Sequence, residues 1–149
     1  MSLFETINYD IKKAMLAKEK VKLAALRAVK SAFLLEKTSK GGGDEISADV
    51  ELKIIQKLVK QRKETAEIYK SNNRNDLYEN EMAEATIIES YLPKQLSEEE
   101  IVDIVKGIIE KTGAATMKDM GKVMGMATKE LAGKADGKII SSIVKQLLS

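Results

Sequence analysis

The sequence has no cysteine, no histidine and no tryptophan, and it contains a single proline. Without cysteine the chain cannot form a disulfide bond, a thiolate nucleophile or a zinc-thiolate site, so nothing indicates an oxidising compartment. No apolar run is long enough to span a bilayer, and the N-terminal residues lack the cationic-then-apolar order of a signal peptide. We therefore expect a cytoplasmic protein without a membrane partner.

The missing residue types also limit the chemistry that the chain can perform. Neither a histidine base nor a cysteine nucleophile is available, and no G-x-x-x-x-G-K-[ST] segment exists to bind ATP. The three consecutive acids Glu98 to Glu100 point in different directions at a helix start, where they suit the helix dipole better than a metal ion. We expect no catalytic residue, no metal and no cofactor, and hence no enzyme acting by itself.

The residues that are present favour helices. Apolar residues make up 44% and charged residues 32% of the sequence, and Ala, Leu, Ile, Lys and Glu dominate. The charge is unevenly distributed, because residues 1–43 carry nine Lys/Arg against four acids and residues 44–92 carry seven against eleven. Residues 113–149 carry six lysines against three acids. Both ends of the chain are therefore basic and its middle is acidic.

Capping patterns in the first part of the chain predict four helices. Ser2 begins the first helix, and an apolar stripe from Leu23 to Phe33 predicts a second helix that forms a hairpin with it. The glycines in the segment 40–44 predict a loop, and Ser47 caps a third helix over about 48–70. A fourth helix follows the asparagine-rich turn 72–75 and ends before Pro93.

The second part of the chain predicts three more helices. Ser97 caps the fifth helix and Gly113 ends it in a left-handed conformation. Thr116 with Asp119 caps the sixth helix, and Asp136 caps the seventh from Gly137 to about residue 148. We predict an all-α fold with an N-terminal four-helix domain, residues 1–92, and a C-terminal three-helix domain, residues 93–149.

Two stretches resemble a known family. They read Glu89-Ser90-Tyr91-Leu92-Pro93-Lys94-Gln95-Leu96-Ser97 and Met117-Lys118-Asp119-Met120-Gly121-Lys122-Val123-Met124-Gly125, the latter followed by Gly133-Lys134-Ala135-Asp136-Gly137-Lys138. Together they resemble the GatB/YqeY family, and the order of four plus three helices resembles its free-standing YqeY-like members. Residues 93–149 are similar to the tail domain of the B subunit of the tRNA-dependent amidotransferases, and that tail contacts tRNA.

The resemblance implies a YqeY-like accessory protein that binds tRNA and is linked to tRNA metabolism or tRNA-dependent amidation. The family label of a carbon-nitrogen ligase with glutamine as amido-N-donor would be inherited, because in the amidotransferases the chemistry belongs to other domains. The resemblance also implies an amidotransferase or other translation-related protein as a partner. The alternative is a protein-interaction module with no RNA ligand. We expect a monomer, because no heptad run is long enough for a coiled coil.

The sixth predicted helix carries the candidate binding site. At about 100° per residue, Lys118, Lys122 and Lys129 form a narrow basic stripe with Gly125 in its middle. The opposite face holds an apolar stripe made of Met117, Met120, Met124, Ala127 and Leu131, and Met126 is expected to point away from it. A glycine inside a helix lowers helix stability by about 1 kcal/mol relative to alanine, so the presence of Gly121 and Gly125 in this predicted helix needs an explanation.

Two hypotheses account for this pattern. In the first, a tRNA phosphate backbone passes over Gly125 between the lysines, and Lys134 and Lys138 extend the basic patch. In the second, the lysines are only the solvated face of an amphipathic helix, and Gly121-x-x-x-Gly125 lets a neighbouring helix pack closely. The lysines of the N-terminal hairpin could likewise form a second RNA footprint, a surface for an anionic partner or a simple solvated surface.

Overall fold

A computed structural model of the chain describes residues 2–39 and 46–149. All regular elements in these two ranges are helical, which confirms the predicted all-α fold. The predicted glycine loop at 40–44 lies outside the described residues. The chain divides into two compact units, Met1–Leu92 and Pro93–Ser149. None of the helices in the described ranges has the length and hydropathy needed to cross a bilayer.

The first unit contains four helices: α1 (Leu3–Leu16), α2 (Lys20–Ser39), α3 (Ala48–Ser71) and α4 (Asn75–Glu89). The hydroxyl of Ser2 accepts the Glu5 N–H at 3.2 Å, and that of Ser47 accepts the Val50 N–H at 3.3 Å, so both serines cap their helices as predicted. α4 ends at Glu89, before the proline that was expected to end it. The core of this unit consists of Ile7, Ile11, Ala14, Ala25, Leu26, Val29, Phe33, Ile55, Val59 and Ile88.

Polar contacts between helices complete the first unit. The buried carboxylate of Glu51 in α3 accepts a hydrogen bond from the N–H of Phe4 at 3.0 Å. This N–H is one of the groups at the start of α1 that have no acceptor within their own helix. The hydroxyl of Tyr91 donates a hydrogen bond to the carboxylate of Asp10 in α1. Burial, followed by this hydrogen bond, raises the pKa of Tyr91. The segment after α4 is therefore attached to the first helix of its own unit.

The second unit contains α5 (Glu98–Thr112), α6 (Met120–Glu130) and α7 (Gly137–Leu148), with a short 3-10 turn, Met117–Asp119, before α6. Ser97 and Glu100 form the predicted capping box, and Gly113 ends α5 with φ +69°. The carboxylate of Asp136 accepts the Lys138 N–H at 2.9 Å at the start of α7. The core of this unit consists of Ile101, Val105, Ile108, Val123, Ala127, Leu131, Ala135, Ile140, Ile143, Val144 and Leu148.

Candidate nucleic-acid interface

The candidate surface is built by α6, which lies in the second unit with one face in the core. Val123, Ala127 and Leu131 are fully or almost fully buried and fix the rotation of the helix. On the opposite face of α6, Lys122, Gly125 and Lys129 are exposed, and Lys118, in the 3-10 turn before α6, is exposed as well. We call these four residues the basic ridge.

The methionine positions differ in two places from the sequence prediction. Met117, predicted on the apolar stripe, is 40% exposed because it belongs to the 3-10 turn before α6. A 3-10 turn has three residues per turn, so it shifts the phase of the helical pattern. Met126, predicted to point away from the core, is partly buried and packs against it. Val123, which was not predicted to belong to the stripe, is fully buried.

The glycines of α6 face open space. Apart from its chain neighbours and the nearby backbone of its own helix, a Cβ atom built on Gly121 or on Gly125 would meet no atom within 4 Å. Within the second unit, the hypothesis of close helix packing over Gly121-x-x-x-Gly125 is therefore wrong. What remains is a bare stretch of helix backbone bordered by lysines.

The two remaining predicted lysines lie outside α6. Lys134 lies in the loop between α6 and α7, directly after Gly133, whose φ is +74°. Lys138 is in the first turn of α7 and lines a groove of about 280 Å³ together with Glu98 and Ile101 of α5. No α6 lysine lines this groove. The six predicted positions thus form a ridge of four residues, one loop position and one groove position.

The charges of the ridge lysines are available to a ligand. Within residues 2–39 and 46–149, no carboxylate oxygen lies within 4.0 Å of Lys118, Lys122, Lys129, Lys134 or Lys138. Asp119 and Glu130 are adjacent in sequence to ridge lysines. The carboxylate of Asp119 accepts the N–H groups of Ala115 at 3.0 Å and Thr116 at 3.4 Å. These backbone hydrogen bonds are the main reason that the pKa of Asp119 is lowered, and the charge of Lys122 lowers it further.

The remaining motif residues have structural roles. The amide of Gln95 donates to the carbonyl oxygens of Pro93 at 2.9 Å and Gly133 at 2.7 Å, and the Leu96 N–H donates to the Lys134 carbonyl at 3.0 Å. We call these contacts the 95–134 clamp. Asp136 caps α7, and Gly137 is its first residue, exposed and with open space where a Cβ would lie. The family-like stretches therefore fix the loop that carries Lys134.

No role was predicted from the sequence for two residues of the second unit, Gln95 and Gly107. Gln95 stands in the motif beside Pro93, and this position is the signal that could have identified it. Gly107 lies in the middle of α5, is exposed and also has open space where a Cβ would lie. Within the described ranges, no group of three or more acidic side chains is arranged to hold a metal ion. The basic ridge can bind phosphate groups through its ammonium groups and bare backbone.

Comparisons with known proteins agree with the sequence resemblance. The family model described as Yqey-like protein matches residues 4–148. A 55-residue segment is 47% identical to the E subunit of the glutamyl-tRNA(Gln) amidotransferase of Methanobrevibacter smithii, and it covers 34% of this chain but only 9% of that relative.

Two fungal relatives cover much more of the chain, and both are named altered inheritance of mitochondria protein 41, mitochondrial. The protein from Saccharomyces cerevisiae is 32% identical over 151 aligned positions, which cover 92% of this chain and 78% of the relative. The protein from Pyrenophora tritici-repentis is 28% identical over 144 positions, which cover 93% and 77%.

Proposed function

The chain belongs to the YqeY-like protein family, and we propose that it is a non-catalytic accessory protein that binds tRNA through the basic ridge of α6. The observation that carries the proposal is Gly125, a bare helical position between Lys122 and Lys129, neither of which forms an ion pair within 4.0 Å among the described residues. A phosphate backbone can approach the helix there more closely than it could over a side chain. Lys134, held by the 95–134 clamp, would extend the contact along the loop after α6.

A link to tRNA-dependent amidation is a further part of the proposal. The segment of 55 residues that this chain shares with an amidotransferase subunit supports it. This chain spans only 9% of that relative, so the shared segment gives no reason to assign the activity of the amidotransferase to this chain. We propose instead that the shared segment recognises the same class of RNA, and that any amide chemistry is performed by another protein.

The compartment is a separate proposal. We place the protein in the cytoplasm, because the sequence has no cysteine to suggest an oxidising environment. The names of the two fungal relatives include the word mitochondrial. Fractionation of the native host cells, with detection of the untagged protein, distinguishes the two compartments.

The test of tRNA binding replaces Lys118, Lys122 and Lys129 together by glutamine, which preserves helix propensity. We expect the affinity for bulk tRNA to fall and the slope of log K against log salt to decrease by about 3, one unit for each phosphate contact. Thermal stability should change little, because all three side chains are exposed. The measurement is an electrophoretic shift across a salt series.

The matched control replaces three exposed lysines on other helices, Lys53 and Lys57 of α3 and Lys106 of α5. It removes the same number of charges without changing the basic ridge. If the two triple variants bind tRNA equally, the ridge is only a solvated face and the proposal fails. The proposal also fails if both triple variants bind tRNA with the affinity of the wild type.

A further inference from the structure

The turn between α1 and α2 presents aliphatic side chains to solvent. Leu16 is 86% exposed, Met15 52% and Val21 40%. We call residues 12–22 the hairpin tip; it comprises the last turn of α1, the connecting turn and the first turn of α2. None of these three apolar residues belongs to the core of the first unit or packs against it. Apolar residues that are close together on a surface mark a contact site more often than scattered ones do.

The hairpin tip is also strongly basic. Five lysines stand there against a single acid, Glu19, which lies 3.8 Å from Lys22. The exposed lysines are Lys12, Lys13, Lys18, Lys20 and Lys22. All of them lie within about one helical turn, 5.4 Å along the axis, of either helix end.

The connecting turn holds the exposed leucine in place. Lys18 has φ +58°, and the Glu19 N–H donates to the Ala14 carbonyl at 3.0 Å, so the last turn of α1 is closed by backbone hydrogen bonds. Leu16 thus stands on an ordered helix end. Further back along α1, the ammonium group of Lys13 lies 5.5 Å from the ring centre of the exposed Tyr9.

We propose that the hairpin tip docks on a bilayer surface that contains anionic phospholipids. Leu16 and Met15 would enter the boundary between headgroups and acyl chains, while the lysines would bind the headgroup phosphates. This combination favours lipid over RNA, because aliphatic side chains do not stack on bases and an RNA backbone would leave them in water. The exposed ring of Tyr9 lies behind the tip, where an interfacial aromatic residue is expected.

This docking differs from the expectation of no membrane partner. That expectation rested on the lack of a membrane-spanning run, which docking on a surface does not require. The inference concerns the first unit and is independent of tRNA binding by the second. Each proposal can therefore fail without the other.

The test measures flotation of the full chain with two kinds of vesicle, pure phosphatidylcholine and phosphatidylcholine with about 30% phosphatidylglycerol. We expect binding to the anionic vesicles only, and a marked loss of binding when NaCl rises from about 0.1 M to about 0.5 M. Leu16→Ser should reduce partitioning roughly tenfold, because one buried leucine side chain is lost from the interface. Leu16→Ser should fold normally, since Leu16 is 86% exposed.

Leu35→Ser is the matched control. Leu35 is 71% exposed in α2, about 22 Å along the helix from its first residue, and this change should leave partitioning unaltered. Equal binding to both kinds of vesicle, or equal loss in Leu16→Ser and Leu35→Ser, would overturn the proposal. Replacement of Lys12, Lys13 and Lys20 by glutamine tests the alternative. If it weakens tRNA binding but leaves flotation unchanged, the hairpin tip is an RNA surface instead.

Discussion

Glycine has two distinct roles in the second unit, and the backbone angle separates them. Gly113 and Gly133 adopt φ of +69° and +74°, a left-handed conformation in which a side chain is strained. Gly107 and Gly125 are helical, exposed and open to solvent. Neither glycine gains a packing contact within its unit. Each therefore lowers helix stability by about 1 kcal/mol relative to alanine, and no contact compensates for this loss. Only Gly125 lies among the lysines of the basic ridge.

This difference gives a prediction for two single substitutions. Both Gly125→Leu and Gly107→Leu should stabilise the protein, by roughly 0.5–1 kcal/mol each, because the new side chain has room and the helix loses a flexible position. Only Gly125→Leu should weaken tRNA binding, because its side chain holds the phosphate backbone away from α6. Thermal melts and a binding titration measure the two effects. A lower melting temperature would contradict the open surroundings, and equal tRNA affinity in both variants would contradict a phosphate contact at Gly125.

Helix ends are the features of the elements that local sequence determines best. Ser2, Ser47, Ser97 and Asp136 each accept a backbone N–H at a helix start. At α5 the carboxylate of Glu100 also accepts the Ser97 N–H, at 3.2 Å. The Ser97 hydroxyl donates a second hydrogen bond to the same carboxylate. Together these two hydrogen bonds lower the pKa of Glu100. Asp119, before α6, has a lowered pKa for a similar reason.

A pH dependence of the second unit follows from these two carboxylates. Their pKa values in the folded state lie below the ordinary values of 4.5 for Glu100 and 3.8 for Asp119. The charged caps therefore stabilise the fold above those values, and the stabilisation is lost as the pH falls through the lowered pKa values. We expect the variant Glu100→Gln with Asp119→Asn to lose less stability than the wild type between about pH 5 and about pH 2.

Urea unfolding at several pH values measures this effect. The control is Asp103→Asn, which changes an exposed aspartate in the middle of α5 and leaves both caps intact. This control should retain the acid dependence of the wild type. An unchanged acid dependence in the double cap variant would show that these hydrogen bonds do not couple protonation to folding.

Contacts between elements show why some features could not be predicted from the sequence. Two basic side chains of α3 pair with acids of α4: Arg62 lies 3.7 Å from Glu84, and Lys63 lies 2.9 Å from Glu89. The N–H of Phe4 is served by Glu51, 47 positions along the chain. Local patterns specify caps and apolar faces, whereas such pairings depend on which helices become neighbours. Lys122 and Lys129 were predictable because they need only the helical period, whereas Lys118 lies in the 3-10 turn, which does not follow that period.

At the scale of the whole molecule, the described residues form two hydrophobic cores, one in each unit. The ESYLPKQLS stretch spans the boundary and is attached on both sides of it. Tyr91 bonds to Asp10 in the first unit, and Gln95 and Leu96 bond to the 133–134 loop in the second. Turn and cap signals alone predict a boundary at Pro93. These signals could not predict the 95–134 clamp. Its acceptors are backbone carbonyl groups, which every residue has, so no particular residue type identifies them.

Residues 93–149 are expected to fold alone, since their apolar core includes side chains from α5, α6 and α7 and from the loop before α7. The clamp makes this expectation specific. A fragment that starts at residue 97 retains the Ser97 capping box and all three helices but loses the Leu96 and Gln95 hydrogen bonds and the packing of Leu96 against the core. It should be less stable than fragment 93–149 by about 2 kcal/mol, the sum expected for these contacts.

Circular dichroism during urea unfolding compares the stabilities of the two fragments. A third fragment, 93–149 with Gln95→Ala, should fall between them, because it retains the backbone hydrogen bond of Leu96 and its packing against the core. A helical 97–149 with the stability of 93–149 would show that the clamp only positions Lys134. An unfolded 93–149 would mean instead that the second core depends on the first unit, because three capped helices with a closed apolar core would then be insufficient by themselves.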